Sequence, residues 1–539
     1  MTRTLVTNAR IFTADTANEW AEALVIDGES LAYVGDAVGA HAAAGADAAT
    51  LDLDGRLVLP GFTDAHTHLV MMGEALGRVG LTDARSLDEI QARLRAAREA
   101  APDAPRLLGR GWLFDSLPGG APTAAMIDAV VADVPVYLDA NDYHSVWVNS
   151  AALAELGITR DTPDPIGGAI GRDADGEPDG MLFETAAQQF VWSHLASITT
   201  DADRDAAVER TIAAYLATGV TGVVDMAFDE LGLEAFQRAA ARRDGSLPIR
   251  VVGHWFVANT GDDAANLEQV RRAVELAGEI ESPWLRVVGI KLVLDGVIDA
   301  CTAAMRHPYA DGSNADPIWP LDRLKPVVAA ADAAGLQVAM HAIGDLASDH
   351  ALDALEHAHE ANGERARRHR IEHLEYAAPG TAERMARLGV TASMQPVHAD
   401  PAIWANWAAM LGDERADRGF AWPEYVDAGA LLAFSTDAPT APHEALPNMY
   451  VAATRRSALD PSFGPNQPEF ALPLAQSIAH ATRDAAASCG DEGVRGRLAA
   501  GLAADFAVLD TDVFAAGEES LLSATIVRTV VAGSTVHEA

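Results

Sequence analysis

The chain has 539 residues, 78 Asp+Glu against 39 Lys+Arg for a formal net charge of −39, and 49% hydrophobic residues. It is too apolar for a disordered acidic tail and long enough for a large core with an accessory domain. Its surplus of acid argues against nucleic acid or an anionic membrane as partner, since both need a basic footprint.

Two cysteines, Cys301 and Cys489, cannot make a disulfide framework. The opening Met1-Thr-Arg-Thr-Leu-Val6 lacks the charged, apolar and small-residue succession of a signal peptide. No apolar run approaches the ~20 residues of a membrane span. A soluble, cytoplasmic protein is expected.

The first sixty residues read as β-structure, with short apolar segments such as Ala23–Ile26 punctuated by Asp27-Gly28 and Gly35-Asp36. The last stretch repeats that style in Phe506–Leu509 and Ile526–Gly533. Residues 1–58 and 495–539 are therefore expected to form one composite β-sandwich. Between them, apolar strands alternate with Ala-rich helical stretches. The strand candidates are Arg56–Phe62, Gly219–Asp225, Ile249–Trp255, Leu285–Lys291, Leu336–His341, His369–His373, Val390–Gln395 and Ala430–Asp437. Eight parallel strands with intervening helices predict an α/β fold, a (β/α)₈ TIM-type barrel, over 59–74 and 201–494. The interval from His68 to Gly219 is far longer than the roughly 30 residues of a βα unit. Residues 75–200 are thus expected as an insertion after strand 1, a lid or specificity domain.

The ends of those strands carry the chemistry. Strand 1 leads into Asp64-Ala-His66-Thr-His68; Lys291 ends strand 4, His341 strand 5, Glu372-His373 strand 6 and Ser435-Thr-Asp437 strand 8. In a barrel, C-terminal strand ends converge on one pocket. Alternate residues of an extended segment point the same way, so His66 and His68 can face one metal ion. Imidazole suits Zn, with Fe, Ni, Co or Mn as alternatives, and Asp437 supplies an oxygen ligand. His341 and His373 would hold a second ion. A lysine between two cations is electrostatically wrong unless modified. Carboxylation by CO₂ would turn Lys291 into an anionic bridge between two divalent metals.

In that order, His66-x-His68, Lys291, His341, His373 and Asp437 resemble the metal-dependent amidohydrolase superfamily. The stretches Gly111-Trp112, His144-Ser-Val-Trp-Val-Asn149, Lys291-Leu-Val-Leu-Asp295-Gly296, His341-Ala-Ile-Gly344-Asp345, Arg370-Ile-Glu-His373 and Ser435-Thr-Asp437-Ala-Pro439 are similar to its YtcJ-like branch. That branch includes N-substituted formamide deformylases. Where it commonly has Asp-Gly-His, this chain has Asp142-Tyr143-His144.

The resemblance implies metal-activated water attacking a C–N bond of a small molecule: an amide, formamide, cyclic amide or carbamate-like compound. Asp437 would take the water's proton and hand it to the leaving amine. His144 is expected as a donor near the carbonyl, and Trp112 and Tyr143 as substrate-binding residues. The alternatives are an ester, lactone or phosphoester on the same site, or a catalytically silent binding barrel. His307, His398 and His443, in loops after strands 4, 7 and 8, are further candidates for substrate contact. His254 is a candidate support for the site, and Asp345 for orienting an imidazole or starting a helix. A homodimer is left open.

Overall fold

The structure is a computed structural model that describes residues 3–117, 121–140, 145–280 and 282–539. Two compact units result: Met1–Leu69 with Ile212–Ala539, and Val70–Thr211.

The first unit is built on a (β/α)₈ barrel. Its parallel strands are β1 (Phe62–Thr67), β2 (Val220–Phe228), β3 (Arg250–Phe256), β4 (Leu285–Val293), β5 (Gln337–Ala342), β6 (Arg370–His373), β7 (Thr391–Met394) and β8 (Leu432–Phe434). Each pairs with its sequence neighbour, from β8 round to β1. Closure falls to the segment just past β8. Asp437 N–H donates to His66 O at 2.8 Å, and Asp64 accepts Thr436 N–H at 3.0 Å. Strands buried on both faces need apolar or fully paired residues, and β1, β6, β7 and β8 are buried throughout. Helices such as Asp345–Asn362 cover the sheet, burying Ala347, Ala351, Leu355 and Ala358 at helical spacing.

The expected first strand, Arg56–Phe62, is corrected by the structure. Leu57–Pro60 belongs to another sheet, parallel to Arg10–Phe12 and antiparallel to Phe506–Leu509; the barrel strand is the following Phe62–Thr67. Gly61 makes the handover, donating to Asp505 O at 3.0 Å. A Cβ there would stand 2.2 Å from Thr221 Oγ1, so the backbone crosses only because glycine has none. The shift places His66 inside the barrel strand rather than beyond it.

Both chain ends contribute to the sheets outside the barrel. One has the order Ser30–Gly35, Ala23–Asp27, Thr4–Thr7, Ala49–Asp52. The other runs Ser534–Glu538, Ile526–Val531, Phe506–Leu509, Leu57–Pro60, Arg10–Phe12, Trp20–Ala21. Val6, Leu24, Val58, Phe506 and Val508 share one apolar core, so neither end is folded by its own sequence alone.

The second unit has a six-stranded mixed sheet, ordered Gly168–Arg172, Pro178–Glu184, Ser145–Val148, Val136–Ala140, Leu107–Trp112, Val79–Gly80. Its core includes Ile90, Leu94, Trp112, Leu138 and Trp147. Among the described residues, no helix is long and apolar enough to cross a membrane.

Candidate active site

The barrel brings the strand-end residues of the first unit together. Nε2 of His66 lies 3.4 Å from Lys291 Nζ and 3.3 Å from Asp437 Oδ1, and Nε2 of His68 lies 3.1 Å from the same oxygen. Ring centroids are 4.8 Å apart for His66 and His373 and 4.4 Å for His341 and His373. One donor atom each from His66, His373 and Asp437 lies within 4.8 Å of the others, close enough to share an ion. His373 and Asp437 have φ of 76° and 61°. Left-handed backbone in non-glycine residues costs on the order of 1–3 kcal/mol and persists where surrounding structure imposes it.

Partners behind the ring fix three imidazoles. His66 Nδ1 meets Glu372 Oε2 at 2.7 Å, and His373 Nδ1 meets Gln395 Oε1 at 2.9 Å. His341 Nε2 meets Gly296 O at 3.1 Å, with Asp295 Oδ1 at 3.5 Å. An acceptor draws the proton to the nitrogen it faces, so the other nitrogen presents a lone pair. One nitrogen each of His66 and His373 lies within 4.8 Å of the other and of an Asp437 oxygen. Asp437 Oδ1 is buried without a hydrogen-bond donor among the described residues. Two imidazole nitrogens and a buried carboxylate oxygen at that spacing are a donor set that fits a metal ion.

The electrostatics agree. Burial, with the Lys291 charge next, pulls His66 down to about 4 and His341 down to about 3, so both rings are neutral at neutral pH. His373 is lowered as well, first by burial and then by the neighbouring imidazoles. Burial works to raise the Asp437 carboxyl, but the imidazoles of His66, His68 and His373 outweigh it and hold it well below the usual range. Burial also brings Lys291 down to about 8 against the opposing pull of Glu372 and Asp437. Lys291 is 3% exposed and, among the described residues, forms no ion pair. An amine brought down to about 8 releases its proton more readily than an exposed lysine, and the free amine is the form that reacts with CO₂.

Several supporting residues lay outside the sequence-based candidate set. Glu372 links His66 to Arg370, whose Nε donates to Glu372 Oε1 at 2.5 Å and whose Nη2 donates to Ala65 O at 2.7 Å and Ser393 Oγ at 2.6 Å. Arg370 and Glu372 stand two apart on one strand, so the period-two rule was the available signal. Asp295 accepts three backbone N–H groups, from Ala304, Ile343 and Gly344 at 2.9–3.0 Å. Nothing in its spacing announced that role. Asp64, which joins β1 to the segment past β8, also accepts Tyr215 O–H at 2.9 Å.

Other candidates lie elsewhere. Trp112 is fully buried in the core of the second unit, its ring against Phe114 and Trp147 and its N–H on Leu138 O at 2.9 Å. A ring with no exposed surface packs that core, which corrects its expected place in a substrate pocket. Tyr143 and His144 lie outside the described residues. Asp345 begins its helix and accepts Arg306 N–H at 2.8 Å rather than contacting His341. His254 is buried against Gln337 Oε1 at 2.8 Å. His398 stands beside the site, its ring stacked 6.1 Å from that of His373.

A barrel whose strand ends gather four histidines, a buried lysine and an aspartate defines a metal-dependent hydrolase. Comparison with known proteins agrees. Residues 49–537 match the family model described as "Amidohydrolase family". The putative amidohydrolase YtcJ of Bacillus subtilis (strain 168) is 32% identical over 90% of this chain and 90% of its own length. The N-substituted formamide deformylase of Arthrobacter pascens is 28% identical over 99% of this chain and 98% of its own. The crystal structure of an uncharacterized metal-dependent hydrolase from Pyrococcus furiosus superposes with a TM-score of 0.77 at 28% identity, covering 95% of this chain and 99% of that one. The chain belongs to the amidohydrolase family. It is accordingly a hydrolase acting on carbon–nitrogen bonds.

Proposed function

We propose that the enzyme hydrolyses the C–N bond of a small-molecule amide, with N-substituted formamides as the first class to test. The observation that carries this reading is the buried Asp437 carboxylate, whose Oδ1 lies 3.3 Å from His66 Nε2 and 3.1 Å from His68 Nε2 at the strand ends of the barrel. The full-length similarity to a protein named N-substituted formamide deformylase supports the substrate class.

His66, His68 and Asp437 would hold one divalent ion, and His341 and His373 a second, with a carboxylated Lys291 bridging them. Zinc is the expected metal, because imidazole and carboxylate suit it and it has no redox chemistry to control. Bound there, such ions lower the pKa of a water and polarise a carbonyl. The chain's own residues do the rest. Glu372 and Gln395 hold the imidazoles in one tautomer and one orientation. Oδ1 of Asp437 faces His66 and His68, which leaves Oδ2 to take the attacking water's proton and return it toward the leaving amine. His66, Lys291, His373 and Asp437 are buried, which strengthens each electrostatic interaction among them.

The test is a panel of N-substituted formamides, simple amides and matched esters offered to the metal-supplemented protein. Turnover of formamides or amides is expected. Turnover of esters alone would replace this reading with an esterase on the same site.

A further inference from the structure

The barrel carries a second polar site at the end opposite its metal ligands. Leu336 immediately precedes β5 and His369 immediately precedes β6. Both line a cavity of about 240 Å³ at the foot of these strands. A single water needs only about 10–15 Å³, so the space admits a small molecule. Gln337, also in its wall, stands four residues before His341 on β5, about 13 Å away at the rise of a strand.

The walls are basic. Residues 365–370 hold four arginines and a histidine, in a chain with 78 acidic against 39 basic residues. Arg365, Arg367, Arg368 and His369 of this run line the cavity, and among the described residues Asp332 is the one carboxylate that does. That carboxylate is fully used. Its Oδ1 accepts from Arg367 Nε at 2.8 Å and faces His369 Nε2 at 3.0 Å. Its Oδ2 accepts from Arg367 Nη2 at 3.0 Å and Asn362 Nδ2 at 2.8 Å. All four acceptor positions are therefore taken. Arg365 has carbonyl partners only, Asp332 O at 2.7 Å, Ala333 O at 3.1 Å and Asn362 O at 3.3 Å, so no carboxylate balances its charge. Nη1 of Arg367 is buried with no hydrogen-bond partner among the described residues, on a side chain only 8% exposed. A buried, charged donor left unmet is destabilising until an acceptor reaches it.

We propose that this cavity binds a small oxyanion, a phosphate or a short dicarboxylate, through Arg365 and the free Nη1 of Arg367. Guanidinium groups match the oxygens of both in charge and planar geometry. The anion supplies what Asp332 cannot, a counter-charge for Arg365 and an acceptor for the last nitrogen of Arg367. Leu336 and Cys489, both buried, give the cavity an apolar wall against which a short carbon chain can lie.

The experiment titrates the metal-supplemented protein with inorganic phosphate and, separately, with succinate at fixed ionic strength, reading calorimetric heat and Tm. Binding and a rise in Tm are expected from at least one probe, since a ligand held by the folded state alone stabilises it. The tighter of the two identifies the ligand class. Ala366→Trp fills the cavity from an exposed lining position without removing any arginine, and should abolish that binding. Arg367→Lys keeps a charge for Asp332 but loses the fork, and Arg365→Ala removes the unbalanced charge. Each should weaken binding by about 10-fold or more, the usual scale for a lost hydrogen bond to a charged group. Phosphate can also coordinate metals at the catalytic site, so binding that Ala366→Trp and Arg367→Lys both retain in full places the anion there and overturns the proposal. Absence of binding by either probe at about 10 mM, well above a Kd of ~1 mM, overturns it too. A variant that lowers Tm while leaving the affinity unchanged assigns the arginines a structural role alone.

Discussion

Nε2 of His68 lies 3.1 Å from Oδ1 of Asp437, joining the end of the first barrel strand to the segment that follows the last. The same oxygen is 3.3 Å from His66 Nε2 and has no hydrogen-bond donor of its own among the described residues. One carboxylate therefore closes the barrel's chemistry at the seam where its backbone closes.

Replacing Asp437 by Asn keeps an oxygen for a metal but removes the group that can accept a proton. Asp437→Asn is expected to retain metal while losing turnover by about 100-fold or more. Metal content and kcat on the same preparation check both halves. Near-full activity would place the proton shuttle elsewhere.

Lys291 is buried, forms no ion pair among the described residues and is lowered to about 8, which favours carbamate formation. Native intact mass should show the mass of one added CO₂, which disappears on acidification. Lys291→Arg, which cannot form a stable carbamate and stays charged, should lose metal and activity together. An unmodified Lys291 paired with an acidic residue would remove the proposed bridge.

The donor set predicts bound metal in the purified protein. Elemental analysis after metal-supplemented expression should find at least about one transition-metal ion per chain; values below about 0.5 would count heavily against a binuclear centre. Removing the ions with a chelator should abolish activity and lower Tm, since a ligand held by the folded state alone stabilises it. Both should return on adding zinc back.

Glu372 serves two partners, so its substitution has two readouts. Glu372→Gln leaves the buried Arg370 guanidinium uncompensated, which costs on the order of 3–5 kcal/mol in unfolding experiments. It also weakens the orientation of His66, with an expected loss of about 10–100-fold in metal affinity. A normal metal titration in a destabilised variant would separate the structural duty from the orienting one.

Much of this was legible in the chain. His66, His68, Lys291, His341, His373 and Asp437 could be picked out because each stands at the end of an apolar strand, and the parallel barrel puts all such ends on one rim. The first strand was misplaced because Leu57–Pro60 is an apolar run whereas Phe62–Thr67 carries Thr, Asp and His, and only Gly61 between them marks the change of sheet. Trp112 was misread because an aromatic in an insertion looks the same whether it faces a ligand or a core. His398 could be noticed as a loop histidine, but no spacing relates it to Glu375, Asp437 and His373, beside which the fold places it.

The opening charge of −39 says nothing of the site, whose acidic residues act singly and in burial. Sequence by itself determined the alternation of strand and helix, and with it the barrel and the residues on its rim, because hydrophobic periodicity and strand order are local properties. Only the tertiary structure decided which nitrogen of each histidine faces inward and which carboxylates stand behind them. Those depend on distances between segments far apart in the chain, set by how the strands close upon one another.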